Sequence, residues 1–404
     1  MALRAEFTTG NYVIRVCDRT ADVDALAWDG LLATQTHPTP FMRLGYLSAL
    51  EASGSATAAT GWACNYLLVT QQDRLVGACV LYLKSHSYGE YVFDWAWAQA
   101  HERHGLPYYP KLLAAVPFTP VPGSRLLAAD EPARDALVGA LGRLCQDSGL
   151  SSAHVLFLSP ADREALAAAG WMIREGVQFH WQQDPELPCR DFDDLVSRMA
   201  RHKRKNILQE RRRVREAGIA FTVHEGLDIS PSLWDHFYTC YESTYAAHAS
   251  TPYLTRDFFT RMARDLPQHW VLFVGRRESS GQPVAASLLA VDHDLGHAWG
   301  RYWGALEPVP MLHFEACYYQ PLAWCLKHGI RRFEGGAQGE HKMARGLLPV
   351  RTWSAHWLRD SRFANAVADF LARETAGLEA YVDELRDRNP FRTGGASPSS
   401  PSPE

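Results

Sequence analysis

The sequence predicts an α+β protein built from two similar units in tandem, each with a mixed β-sheet. The same order of elements (helix, antiparallel strand pair, loop, helix, strand) occurs in residues 41–158 and again in residues 255–334. In both halves the second helix stops at a glycine, Gly149 or Gly329, and a left-handed helix end favours that residue. A helix that returns the chain to a parallel neighbour is a crossover, so we expect mixed sheets.

The boundaries of the predicted elements follow the apolar periodicity. In the first half they are a helix over 41–51, strands over 66–70 and 75–83, a helix over 132–147 and a strand over 154–158. In the second half they are a helix over 255–264, strands over 270–275 and 284–291, a helix over 312–327 and a strand over 330–334. A long amphipathic helix is predicted over 362–386. We therefore expect one domain over 10–185 and a second domain over 190–388.

Composition is that of an ordinary globular protein. The 404 residues carry a net charge of −4 and are 47% hydrophobic, which allows two cores and argues against a general nucleic-acid binder. None of the eight cysteines forms a C-x-x-C pair, which favours free thiols in a reducing compartment. The sequence has neither a signal peptide nor an apolar run of about 18 residues, which predicts a cytoplasmic protein without a membrane span. The polar tail over 389–404 is predicted to be disordered.

The segment 198–215 is strongly basic and predicts a helix that ends at Gly218. It carries nine arginines and lysines beside a thin apolar stripe of Met199, Ile207 and Val214. Such a charge run binds RNA or a pyrophosphate, or else forms a solvated face with salt bridges, and both interpretations stay open. The helix has no aromatic residue, which argues against base stacking.

The segment 333–350 places several glycines and charged residues directly after a predicted strand. Glycine allows a ligand to approach the backbone closely and allows a positive φ. Acyl transfer to an amine needs a base for the ammonium and a donor for the developing oxyanion. Glu334 or Glu340 can serve as the base in this segment, together with His341, and of these Glu340 and His341 are the candidates we retain. Lys342 and Arg345 can hold a phosphate or a carboxylate. A solvated loop with incidental charges is the alternative interpretation.

Glu315 is a third candidate base, or an amine anchor. It lies near the start of the predicted helix over 312–327, where the helix dipole alone is a sufficient reason for a carboxylate. Each polar candidate elsewhere also has an ordinary structural explanation as a hydrogen-bonded or surface residue. The predicted substrate-binding residues are Lys84, His86, Tyr88, Arg301, His313, Gln338, Lys342 and Arg345.

Six stretches are distinctive as a set. They are K-S-H-S-Y-G-E-Y-V-F-D-W-A-W (84–97), Y-Y-P-K-L (108–112), A-V-P-F-T-P-V-P-G (115–123), G-R-Y-W-G (300–304), L-H-F-E-A-C-Y-Y-Q (312–320) and E-G-G-A-Q-G-E-H-K-M-A-R-G-L-L-P-V (334–350). With them the chain resembles a bacterial family of GNAT-type N-acyltransferases that is labelled peptidoglycan biosynthesis or recognition and is related to the Fem aminoacyltransferases. The resemblance implies two tandem GNAT-like (acyl-CoA N-acyltransferase) domains, with acyl-CoA or charged tRNA as co-substrate.

The predicted activity is transfer of an activated acyl group to a primary amine by direct attack. The sequence contains no G-x-S-x-G, P-loop or H-E-x-x-H motif, so we expect neither a covalent enzyme intermediate nor a metal. The usual acetyl-CoA loop, R/Q-x-x-G-x-G/A, is absent, and proline-containing loops stand in its place. One alternative is a tRNA-dependent aminoacyltransferase that binds tRNA through the helix over 198–215 and acts on a cell-wall precursor or peptide. The other is a non-catalytic module that binds glycans or peptides.

Overall fold

The computed structural model describes residues 3, 5–337 and 339–391. Within them the helices are α1 (Ala25–Ala33), α2 (Leu44–Ala52), α3 (Trp95–Arg103), α4 (Glu131–Asp147), α5 (Pro160–Ala168), α6 (Phe192–Ser197), α7 (Arg201–Glu216), α8 (Pro231–Ala247), α9 (Arg256–Asp265), α10 (Leu312–Phe314), α11 (Gln320–Lys327) and α12 (Ser361–Asp387). A π-helical stretch, Glu315–Tyr319, joins α10 to α11. Of the tail predicted to be disordered, residues 392–404 lie outside the described residues.

The strands alternate with these helices along the chain. They are β1 (Glu6–Thr9), β2 (Tyr12–Cys17), β3 (Trp62–Gln71), β4 (Arg74–Lys84), β5 (Lys111–Ala114), β6 (Leu127–Ala128), β7 (Ser152–Leu156), β8 (Met172–Gln182), β9 (Ile219–Glu225), β10 (Trp270–Arg277), β11 (Pro283–Asp292), β12 (His297–Ala305), β13 (Arg332–Glu334) and β14 (Leu348–Leu358). The predicted α+β class is confirmed, and so is the duplicated order of elements.

The first compact unit contains Met1–Gly176, Tyr253–Asp265 and Arg351–Ala380. Strands β1 to β4 are antiparallel neighbours, β4 pairs with β5, and β5 runs parallel to β7. The crossover between β5 and β7 contains α4, whose apolar face packs on the sheet through Leu137, Leu141 and other buried residues. The last part of β14 pairs with β7 and extends the sheet.

The second compact unit contains Val177–Pro252, Leu266–Val350 and Tyr381–Glu404. Strands β9 to β12 are antiparallel neighbours, and β12 runs parallel to β13. The crossover from β12 to β13 is the helix that contains α10, the π-helical stretch and α11. The end of β8 pairs with β13 and extends this sheet. Each unit therefore contains an antiparallel strand group, a parallel pair and a crossover helix, in the order that the sequence predicts.

Two segments that the sequence assigned to the second domain fall in the first unit. One contains α9, where Phe258 packs edge-on against Tyr46 of α2 with the ring centroids 5.4 Å apart. The other begins at Arg351 and contributes the part of β14 that pairs with β7. The boundaries at 185 and 190 remain a prediction.

Two features differ in detail from the prediction. Arg301, a predicted substrate-binding residue, lies inside β12, a strand that is not among the predicted elements, next to an irregularity in the pairing of β11 with β12. The basic helix begins at Arg201 rather than at residue 198. No helix among the described residues is both long enough and apolar enough to cross a membrane.

Helix α8 lies directly on β12, and a glycine makes this close approach possible. A Cβ at Gly304 would lie 1.7 Å from the carbonyl oxygen of Cys240, which belongs to α8. The hydroxyl of Thr244 on the same helix donates to the Trp303 carbonyl at 2.8 Å. The backbones are therefore held together where a side chain would separate them.

We predict that Gly304→Ala lowers the stability of the protein by about 3 kcal/mol or more, because the added methyl group meets backbone rather than a flexible side chain. Urea unfolding followed by tryptophan fluorescence measures the change. Gly139→Ala, on the exposed face of α4 with open space around it, is the control and should gain up to about 1 kcal/mol. Equal unfolding midpoints for Gly304→Ala and the unmodified protein would contradict the packing described here.

Candidate active site

The predicted site residues fall into two groups. The second unit contains Arg301, His313, Glu315, Glu340, His341, Lys342 and Arg345, and the first unit contains Lys84, His86 and Tyr88. Gln338 lies outside the described residues. Apart from Arg301, which lies in β12, the second-unit group is drawn from the crossover helix and from the glycine-rich segment after β13, so we describe it first.

The crossover helix is irregular at its start, and proline explains the irregularity. Pro321 has no N–H, so it cannot donate to the backbone of the preceding turn, and an interruption of this kind distorts a helix. The five residues just before Gln320 are π-helical. The carbonyl of Ala316 accepts a hydrogen bond from the Ser287 hydroxyl at 2.5 Å, which anchors the stretch to β11. Such π-helical turns are frequent at functional sites.

Glu315 is the first residue of the π-helical stretch and is held by α7. Both of its carboxylate oxygens accept hydrogen bonds from Arg211, at 3.1 to 3.2 Å, and Oε1 also accepts from Gln320 at 2.7 Å. The side chain of Glu315 is 5% exposed and that of Arg211 is 19% exposed. Arg211 also lies 4.6 Å from the centre of the Phe192 ring. The predicted base is therefore a fixed carboxylate with three donors around it.

A second ion pair lies beside the first. Arg345 contacts Glu210, the neighbour of Arg211 on α7, at 3.0 Å, and the Tyr319 hydroxyl donates to the same carboxylate. The guanidinium carbon of Arg345 lies 3.4 Å from the centre of the Phe314 ring. Sequence reasoning missed Glu210, although an acidic residue inside a run of cations was a visible signal.

In the glycine-rich segment (residues 333–350), a lysine side chain folds back onto two backbone carbonyl groups of the same segment. Lys342 is buried, and its ammonium donates to the carbonyls of Gly336 and Ala337 at 3.1 and 2.8 Å. Gly336 and Gly339 both have positive φ, at 80° and 117°, which non-glycine residues rarely adopt. Burial lowers the pKa of Lys342 to about 8. This cation is therefore charged at neutral pH and loses its charge at mildly alkaline pH.

His341 is the exposed member of this group. Its Nε2 lies 3.0 Å from the Tyr318 hydroxyl, and its ring centre lies 6.1 Å from that of His313. Burial of part of the ring, together with the nearby cations Arg345 and Lys342, lowers the pKa of His341 below its ordinary value. Burial, and then His341 and the same cations, lower the pKa of His313 to about 4. Both imidazoles are neutral at pH 7.

The remaining two candidates of this unit lie in different surroundings. Glu340 is exposed and accepts hydrogen bonds from Tyr381 at 2.8 Å and from Arg388 at 3.1 Å. Arg301 donates to the Tyr302 hydroxyl at 2.9 Å.

The parallel pairing of β12 with β13 is short. It ends at Trp299 opposite Glu334, while β12 continues for six more residues. A Cβ at Gly336 would lie 3.7 Å from the Gly300 carbonyl, so the glycine-rich segment passes this part of β12 closely. Burial raises the pKa of Glu334 to about 7, although Arg332 contacts the carboxylate at 3.1 Å. Glu334 therefore changes its charge near neutral pH.

The three candidates of the first unit form a separate cluster after β4. The ammonium of Lys84 lies 3.5 Å from the centre of the Trp62 ring and donates to the Tyr88 carbonyl at 3.3 Å. Burial lowers the pKa of Lys84 to about 7. His86 bridges the Thr60 carbonyl and the Tyr88 N–H, which explains this histidine structurally. The Tyr88 side chain is exposed.

Next to this cluster lies a buried charge network that the sequence indicated only weakly. Lys111 is fully buried and contacts Glu90 at 2.8 Å as well as Asp94. The hydroxyl of Tyr108 donates to Asp94 at 2.6 Å. A buried cation with two carboxylates fits a structural role that fixes the segment between β4 and β5. Among the residues with described positions, no group of three or more histidines, cysteines or carboxylates is arranged to hold a metal ion.

Comparison with known proteins gives one family and a fold. The FemAB-like family, described as peptidoglycan biosynthesis/recognition, matches residues 19–393. The structure of L-PGS from Bacillus licheniformis is similar over 85% of this chain and 95% of its own, with a TM-score of 0.53 and 10% identity. A crystal structure of FemX is similar over 86% of this chain and 98% of its own, with a TM-score of 0.52 and 10% identity. No curated protein matches the chain. The fold is FemX-like and GNAT-like, as predicted.

We predict that Glu210→Gln lowers the free energy of unfolding by about 1.5–3 kcal/mol, because it removes the anion that pairs with Arg345 and accepts from Tyr319. Urea unfolding measures the loss. Glu216→Gln on the same helix is the matched control, since its pair with Arg212 is exposed at both ends and should be worth less than about 1 kcal/mol. If the two variants are equally stable, Glu210 does not hold the site together.

Proposed function

The chain belongs to the FemAB-like family, and from that membership we propose that it is an N-acyltransferase. It moves an activated acyl group to a primary amine without forming a covalent enzyme intermediate. The observation that carries the proposal is His341, an exposed neutral imidazole beside Tyr318, with two cations nearby. A base of this kind is what attack by an amine requires, because an ammonium ion has no lone pair.

His341 is the base that the surroundings favour among the three candidates. Its Nε2–H can donate to the Tyr318 hydroxyl, which leaves Nδ1 to accept a proton from the amine. Glu315 already accepts four hydrogen bonds from Arg211 and Gln320 and is almost fully buried, so it suits an anchoring role. Glu340 is exposed and engaged by Tyr381 and Arg388.

The step itself balances with these groups. Nδ1 of His341 first takes the extra proton of the ammonium and releases it to solvent. The free amine nitrogen then attacks the acyl carbon, the bond from that carbon to the leaving sulfur or oxygen breaks, and Nδ1 takes a second proton from the nitrogen. The proton then passes to the leaving thiolate or alkoxide. Lys342 and Arg345 supply positive charge that favours an anionic donor such as acyl-CoA.

A charged tRNA is the alternative donor, and one observation favours it. Arg201, Lys205, Arg212 and Arg215 are all exposed and fall on one face of α7 at spacings of four, seven and three residues. Such a cationic stripe suits a phosphate backbone. The chemical class of the acyl donor, the acceptor amine and the identity of the base are all part of this proposal.

We predict that His341→Gln reduces kcat/KM for acyl transfer by about 10²–10⁴-fold, because glutamine keeps a hydrogen bond to Tyr318 but accepts no proton. Release of the CoA thiol from acyl-CoA in the presence of a panel of primary amines measures the rate. His202→Gln, an exposed histidine on α7, is the control and should keep full activity.

The pH profile gives an independent check. Because the pKa of His341 is lowered, activity should fall only when the pH drops below the ordinary histidine range of about 6.5. Because the pKa of Lys342 is lowered to about 8, KM for an anionic donor should rise above that pH. Full activity of His341→Gln with an unchanged acid limb would rule out His341 as the base.

A further inference from the structure

A small cavity in the second unit lies beside the Glu315–Arg211 pair. Its volume is about 150 Å³. Its polar wall is formed by Arg211, Arg215, Glu278, Glu315 and Gln320. This volume is well below the roughly 300 Å³ at which pockets for drug-sized ligands begin, so an occupant must be small.

The cavity combines two guanidinium groups and two carboxylates with an apolar floor. Val214, Ile219 and Phe221 line it as well, and the first two are almost fully buried. Among the described residues, neither Arg215 nor Glu278 forms a side-chain ion pair, so their charges are available to a ligand. A net-neutral cavity with both signs of charge favours a zwitterion over an ion of one sign.

The walls are held in place by contacts outside the cavity. Gly218 has a φ of 70°, which ends α7 and turns the chain into β9, and so brings Arg215 and Ile219 to the same cavity. The backbone N–H of Glu278 donates to the Gly218 carbonyl at 2.9 Å. Arg277 donates to the Ala217 carbonyl at 2.7 Å. These contacts fix the turn that carries Glu278 against the end of α7.

We infer that this cavity binds a free α-amino acid with an aliphatic side chain. The α-carboxylate contacts Arg215, the α-ammonium contacts Glu278 and Glu315, and the side chain lies on Ile219 and Phe221. Guanidinium groups suit a carboxylate because they present paired donors in one plane. An α-amino acid is a primary amine and therefore a possible acceptor in the proposed reaction, but the inference concerns binding and does not depend on that reaction.

Isothermal titration calorimetry on the full chain, without any acyl donor, tests the inference. The probes are L-alanine, L-valine and L-leucine, together with N-acetyl-L-valine and L-valinamide, which lack the ammonium and the carboxylate respectively. We expect saturable binding of one free amino acid per chain, and affinities at least about ten-fold lower for both blocked probes, because each leaves a charged group of the cavity without its partner.

Two variants and two controls locate the site. Arg215→Gln and Glu278→Gln change exposed side chains, so they should fold normally, and each should weaken L-valine binding by about ten-fold or more. Arg213→Gln and Glu216→Gln, on exposed positions of α7 that do not line the cavity, should bind as the unmodified protein does.

Absence of saturable binding for all three amino acids overturns the inference. So does binding that tolerates the blocked probes or the Arg215 and Glu278 variants. Failure of acyl transfer alone leaves it standing, since no donor is present.

Discussion

Two neighbouring residues of α7 hold the candidate site together. Glu210 pairs with Arg345 of the glycine-rich segment, and Arg211 pairs with Glu315 of the crossover helix. Glu210 faces a cation and Arg211 faces a carboxylate, so exchanging these two residues would leave two like-charged contacts. Because Glu315 and Arg345 are both nearly buried, these contacts are less screened than surface pairs. The two segments therefore have fixed positions relative to α7, and His341 and Tyr318 are positioned along with them.

Burial determines the chemistry that this arrangement allows. Taking a cation out of water favours its neutral form, so the pKa values of Lys342, His313 and His341 are all lowered. The same effect raises the pKa of the buried carboxyl of Glu334 to about 7. A neutral histidine beside a charged lysine at pH 7 combines a proton acceptor with attraction for an anion. That combination is the physical basis of the proposed acyl transfer.

The sequence predicted the fold better than the site. Local apolar periodicity located α4, β10 and β11 to within a few residues, because each buries one continuous apolar surface. It did not predict that β14 pairs with β7 and that β8 pairs with β13, because pairing between residues more than 100 positions apart has no local signal. Candidates on the crossover helix and after β13 were found because charged groups beside glycine or a helix start are unusual. Their partners Glu210 and Arg211 were not identified, since a pattern of charges on one helix does not reveal which segment faces it.

Thermal unfolding with a panel of CoA and acyl-CoA species tests the central claim most directly, namely that the second unit binds an activated acyl donor. A ligand at about 100 times its Kd adds roughly 2.7 kcal/mol to stability. We expect a stabilisation that varies with acyl-chain length and is weakened by Lys342→Met but not by Lys327→Met, an exposed control on α11. No stabilisation by any CoA species, at concentrations to which a known GNAT enzyme responds, would contradict acyl-CoA as the donor. In that case the exposed cations of α7 and a charged tRNA become the next subjects of measurement.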